Sequence, residues 1–157
     1  MRLNLRDISF LRCGTKKQET AYRVLQELQL FSVLRKFDPV FVSTVAIGVD
    51  VDGSDLDIIC EVHDFVDFRQ TLETSFGHYD HFQVWRRDRG PIPAMVAKFS
   101  HPHFPIEVFG QSRPVEKQNA YRHLMVCNRL LRIGGEKARQ QILALRGRGM
   151  KTEPAFA

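Results

Sequence analysis

The sequence predicts an α+β fold: a mixed β-sheet of about five strands with helices packed on it. Three observations carry that expectation. Apolar residues recur at helical spacing in "TKKQETAYRVLQEL" and "PVEKQNAYRHLMVCNRLLRI". Short β-rich runs recur in "VFVSTV", "SDLDIICEV", "HYDHFQVWRR", "AMVAKFS" and "HPHFPIEVFG". The segments follow one another as helices, two strands, a helix, three strands and helices. With 157 residues, 43% hydrophobic and 26% charged, residues 1–157 are expected to form a single domain around one core.

The first helix opens in "CGTKKQETAYRVLQEL". Thr15 and Gln18 have capping-box spacing, and Ala21, Leu25 and Leu28 fall on one face. The helical pattern runs on loosely to Asp38-Pro39, where the proline ends it. "VFVSTV" is the first expected strand, "AIGVDVDG" a turn-rich connector, and "SDLDIICEV" the second strand. Asp64 is expected to cap the helix "FVDFRQTLETSF", which Gly77 stops. "DRGPIP" is a turn between the third and fourth strands. Prolines at the start of the fifth strand point to a bend or a sheet edge. Pro114 takes a helix-start position, Gly134-Gly135 breaks that helix, and "EKARQQILALRGRG" is the last one.

No apolar run approaches membrane-spanning length, and "MRLNLRDISF" has no long apolar leader core, so neither a membrane span nor a signal peptide is expected. Cys13, Cys60 and Cys127 lie far apart with no CxxC spacing, and read as buried thiols in a reducing cytoplasm. A net charge of +5, with basic residues concentrated between Arg122 and Lys151, permits an anionic partner without demanding one.

Two carboxylates inside an apolar strand need a physical reason. Asp55 and Asp57 in "SDLDII" are two apart, so in a strand they share a face, about 6.6 Å apart along the backbone. Bare charges at that range repel by about 2.5 kcal/mol at an effective dielectric near 20. A divalent cation between them relieves the repulsion, and magnesium binds through one or two carboxylates with substrate phosphates and water. Three other readings stand beside this one. Ser54 could cap a helix with acids in its first turn, although Ile58, Ile59 and Val62 prefer strand. "DVDGSDLDIICE" has the length of a calcium loop, but its sixth position is Asp55 and no helix precedes it. The pair could also be solvated at a sheet edge. Glu107, in "PIEVFG", alternates away from Ile106 and Val108. If its strand lies beside that of Asp55 and Asp57, three carboxylates converge in a set able to hold two metals.

A small-residue pair after a strand, a spacer, and then "SDLDI" resemble the nucleotidyltransferase fold of the polymerase-beta type. "GTKKQETAY", "SDLDIICEV", "IEVFGQSRPVEKQNAYRH" and "KTEPAFA" further resemble an uncharacterised bacterial family of that fold, known as a domain of unknown function. The resemblance implies that Ser43 and Thr44 form the phosphate-contacting first motif. Asp55 and Asp57 would be the metal-binding second motif, and Glu107 the third acid. It implies Mg2+ or Mn2+ as cofactor and an NTP as substrate. Ser54, which opens the second motif, and Arg113 and Arg122, which follow Glu107, are further candidates for nucleotide contact. His123 is a candidate to touch a base or sugar. A solvated helix face is the alternative for Arg122, His123 and Asn119.

Two departures matter. The family's first motif typically has glycine where Ser43 stands, and a Cβ there could obstruct a triphosphate. The third acid is Glu where the superfamily more often has Asp. The relatives' terminal segment also continues past Ala157, which leaves a C-terminal truncation open. The expected function is metal-dependent transfer of a nucleoside monophosphate from an NTP to a hydroxyl acceptor that the sequence does not name. The alternative is a catalytically inactive relative that binds a nucleotide, RNA or a protein partner, as in toxin–antitoxin pairs. "HPH" at His101 and His103, and Trp85 among Arg86, Arg87 and Arg89, are weaker candidates for metal and single-strand contact.

Overall fold

A computed structural model describes residues 3–157; Met1 and Arg2, at the start of the segment read for a leader, lie outside it. Helix α1 (Lys16–Glu27) carries the expected capping box: Thr15 Oγ1 accepts from the Gln18 amide, and the Gln18 side chain accepts from the Thr15 amide. The loose continuation resolves into a short α2 (Leu30–Val33) and a 3-10 turn at Arg35–Phe37. Gln29 and Asp38, both in the left-handed region, separate these pieces from their neighbours.

Strand β1 (Val40–Phe41) is shorter than "VFVSTV" suggests. The Ser43 hydroxyl accepts from the Val45 amide at 3.2 Å and starts a 3-10 turn over Thr44–Ile47. Thr44 and Val45 therefore belong to that turn. Strand β2 (Leu56–Glu61) begins just after Asp55 and leads to α3 (Phe65–Phe76), where Asp64 accepts from the Val66 and Asp67 amides. Then come β3 (Asp80–Arg87), β4 (Ala94–Ser100) and β5 (Pro105–Gln111).

The sheet order is β1-β2-β5-β4-β3. The β2–β5 pair is parallel, while β1–β2, β3–β4 and β4–β5 are antiparallel. After α3 the chain reaches the far edge, then returns by a three-strand meander that sets β5 beside β2. Thus β5 is an interior strand, which removes the edge from the two readings, bend or edge, that its prolines offered. Pro105 occupies the first strand position, where its missing N–H is tolerated.

One face of the sheet holds the core. Leu56, Ile58 and Cys60 of β2 alternate into it, with Ile106 and Val108 of β5 beside them. Phe68, Leu72 and Phe76 of α3 are buried at the same core. A Cβ at Gly110 would lie 2.5 Å from Val62 Cγ2 and 2.7 Å from Phe68 Cε1, so helix and strand pack too closely there for any side chain.

Pro114 precedes a 3-10 turn (Val115–Lys117), and α4 (Asn119–Gly147) starts only after it. Gly135, at φ 65° and ψ −160°, breaks α4 into two helices at the expected glycine pair. A short α5 (Thr152–Phe156) ends the chain. Cys60 and Cys127 are buried, but Cys13 is exposed, which corrects the reading of three buried thiols. Among the described residues no helix is long and apolar enough to cross a membrane.

Candidate active site

The parallel register sets Asp57 directly beside Glu107. Asp55, at the lip of β2, closes the group. One carboxylate oxygen from each of Asp55, Asp57 and Glu107 lies within 4.8 Å of the others. Among the described residues this is the one set of three or more His, Cys, Asp or Glu side chains close enough to share a cation.

Burial pushes the Asp57 carboxyl up to about 7, and the neighbouring charges of Glu107 and Asp55 add to the shift. Asp55 is raised as well, first by burial and then by Glu107. Among the described residues the one countercharge is Lys98, whose Nζ is 3.1 Å from a Glu107 oxygen and whose pKa is raised by that contact. Lys98 pairs with Glu107 in the β4–β5 register. It went unremarked in the sequence, although a lone cation in the apolar strand "AMVAKFS" was its signal. Three carboxylates against one half-exposed ammonium leave negative charge in excess. Clustered hard oxygen donors of that kind fit magnesium or manganese.

The chain before Asp55 is held from several sides. The Ser43 hydroxyl donates to the Asp55 carbonyl at 2.6 Å, and the Ser54 hydroxyl accepts from the Val51 amide at 2.9 Å. From α4, Arg139 donates to the Ile47 and Gly48 carbonyls, and Arg146 donates to the Val49 carbonyl at 2.8 Å. Lys17 of α1 donates to the Val51 carbonyl at 3.2 Å. Gly48 has φ 69°, and a Cβ there would stand 2.8 Å from the Arg139 guanidinium. Two helices remote in sequence thereby fix the loop that aims Asp55.

The remaining predicted residues divide. Ser43 is fully buried and its hydroxyl has two protein partners, whereas Thr44 is half-buried at the start of the turn. Arg113 lines a cavity of about 490 Å³ that contains Asp57 and Glu107, with Arg87, Arg89 and Phe109 among its other walls. Arg122 and His123 are exposed on α4 and are not part of that lining. Gln118 is buried just before α4 begins. Its amide donates to the Cys60 and Arg113 carbonyls, each at 3.0 Å. His101 is buried, 3.3 Å from Glu27, and accepts from the His103 amide.

Three solved structures are similar to this chain, two of them described as polymerases. The GLD-2/RNP-8 complex superposes with a TM-score of 0.62 at 9% identity, covering 91% of this chain and 57% of that one. The Cid1 poly(U) polymerase, solved with MgGTP, gives 0.56 at 14% identity over 85% of this chain and 42% of its own. The polymerase core of TRAMP, an RNA surveillance complex, gives 0.52 at 12% identity with the same 85% and 42% coverage. This chain therefore spans about half the length of these neighbours. At such identities the likeness shows the fold, which is nucleotidyltransferase-like. No curated protein matches the sequence. A family profile matches residues 23–157. By that match the chain belongs to the family described as Domain of unknown function (DUF4269).

Proposed function

We propose that the protein is a metal-dependent nucleotidyltransferase that moves a nucleoside monophosphate from an NTP to a hydroxyl acceptor. The observation that carries this reading is the convergence within 4.8 Å of Asp57 and Glu107, on adjacent parallel strands of a nucleotidyltransferase-like sheet, with Asp55 just before the first of them. Asp55 and Asp57 hold the divalent cation, and Glu107 completes its site or takes the acceptor proton. A bound cation supplies charge stabilisation for the phosphoryl oxygens and the leaving group.

In the transfer, the acceptor oxygen forms a bond to the α-phosphorus. The bond from that phosphorus to the α–β bridging oxygen breaks. Pyrophosphate leaves, and the hydroxyl proton passes to a carboxylate of the cluster. Thr44 and the backbone of its turn contact phosphate. Ser43, with its hydroxyl already bonded, contributes by holding the Asp55 carbonyl. Lys98 keeps the metal-free cluster from full repulsion.

Pyrophosphate release from each NTP with magnesium tests the reading, measured on wild type, Asp57→Asn and Glu107→Gln. Wild type should release pyrophosphate, and Asp57→Asn should lose at least about a hundredfold of that rate. An Asp57→Asn protein as active as wild type would sink the assignment.

A further inference from the structure

Residues directly opposite one another in adjacent strands point to the same face of a sheet. The register therefore writes three cross-strand rows on the face that carries Asp57. The first row is Asp57, Glu107, Lys98 and Gln83; the second is Ile59, Phe109, Val96 and Trp85. The third is Glu61, Gln111, Ala94 and Arg87. The first row carries the acids, the second is apolar, and the third has Arg87 at one end and Glu61, outside the cavity and 2.8 Å from His63, at the other.

The cavity of about 490 Å³ lies along these rows. Arg89, on the loop after β3, and Arg113, after β5, line it together with Arg87. Among the described residues none of the three guanidiniums forms an ion pair. Arg86, beside them, is paired with Asp88 at 2.7 Å. Arg87 lies 5.7 Å from the centre of the Phe109 ring. The wall at Gln118 adds a buried carbonyl oxygen with no hydrogen-bond partner. Ser43 and Thr44 are not in the lining, although Val42 just before them is, so the cavity borders the turn assigned to the NTP phosphates and extends away from it along the sheet.

We propose that this cavity is the acceptor subsite and that the acceptor is a small hydroxyl-bearing phosphomonoester, an inference that rests on the transferase reading above. Its hydroxyl lies at the carboxylate row. Its ring covers Phe109 and Ile59. Its phosphate sits among Arg87, Arg89 and Arg113, whose forked donors match phosphate oxygens. The first and third rows are about 13 Å apart at the usual rise, and the arginines reach back from the third. That span suits a nucleoside monophosphate or a phosphorylated sugar. The volume is in the range of small-molecule sites.

The test is calorimetric titration of the full chain, saturated with magnesium and a non-hydrolysable NTP analogue. The probes are AMP and glucose 6-phosphate, each against adenosine and glucose. The same titrations are run on an Arg87→Ala, Arg89→Ala variant whose melting temperature is checked. At least one phosphomonoester should bind tenfold or more tightly than its dephosphorylated form. The variant should lose that preference while its affinity for the analogue changes less than twofold. Equal binding of the phosphorylated and dephosphorylated probes overturns the inference. So does a variant that loses the analogue instead, since the arginines would then serve the NTP. Preference for a 5′-phosphorylated oligoadenylate over both monomers also overturns it, in favour of a polymer acceptor. If wild type fails to bind the analogue yet keeps an arginine-dependent preference for phosphomonoesters, the anion site stands and the transferase reading falls.

Discussion

Replacing Asp57 by Asn should stabilise the metal-free protein while abolishing its activity. The carboxyl is raised from its ordinary 3.8 to about 7 by burial and by Glu107 and Asp55. Each pKa unit corresponds to about 1.4 kcal/mol, so the ionised form costs the metal-free fold roughly 4 kcal/mol above pH 7. Between pH 4 and 7 the folded state keeps a proton that the unfolded chain has lost. Stability from this group is therefore full below pH 4 and falls as pH rises through 7. Asn carries no charge but keeps a polar group in the same place, so it should recover only part of the penalty, about 1–3 kcal/mol at pH 8. For a chain of this size that is a rise in melting temperature of roughly 3–10 °C. The assay is thermal unfolding in EDTA at pH 5 and pH 8, with and without magnesium. Asn should stabilise at pH 8 far more than at pH 5, and magnesium should stabilise wild type alone. A variant equally destabilised at both pH values would refute the reasoning.

Further outcomes follow from the same geometry. Lys98→Met removes the one cation at the cluster; unfolding in EDTA at pH 8 should show a loss of about 1 kcal/mol, with a larger magnesium-induced rise in melting temperature than wild type. Arg139→Ala and Arg146→Ala should each cost about 1–2 kcal/mol, and amide exchange at Val49–Ser54 should quicken because the carbonyls they hold are released. Gly110→Ala should destabilise by about 1–3 kcal/mol in denaturant titration, since Val62 and Phe68 leave no room for a methyl group.

Much of the site was legible because carboxylates in apolar strands are costly, and Asp55, Asp57 and Glu107 stand out against Leu56, Ile58, Ile106 and Val108. Their meeting depends on topology. The meander places Glu107 beside Asp57 from fifty positions away, and residue pattern alone leaves strand order open. Local competition hid other features. Strand propensity in "VFVSTV" loses to the hydrogen bond from the Val45 amide to Ser43, which bends the chain into a turn. Proline at the start of β5 suggests a bend or an edge, yet is tolerated at a first strand position inside the sheet. The clamps from Arg139 and Arg146 were invisible because they reach loop carbonyls more than ninety positions away.

The most direct measurement is calorimetric titration of NTPs into the protein with and without magnesium, for wild type and for an Asp55→Asn, Asp57→Asn double variant. The account predicts that wild type binds an NTP only with the metal present and that the double variant does not bind. NTP binding by the double variant at wild-type affinity, or by wild type equally well in EDTA, would contradict it.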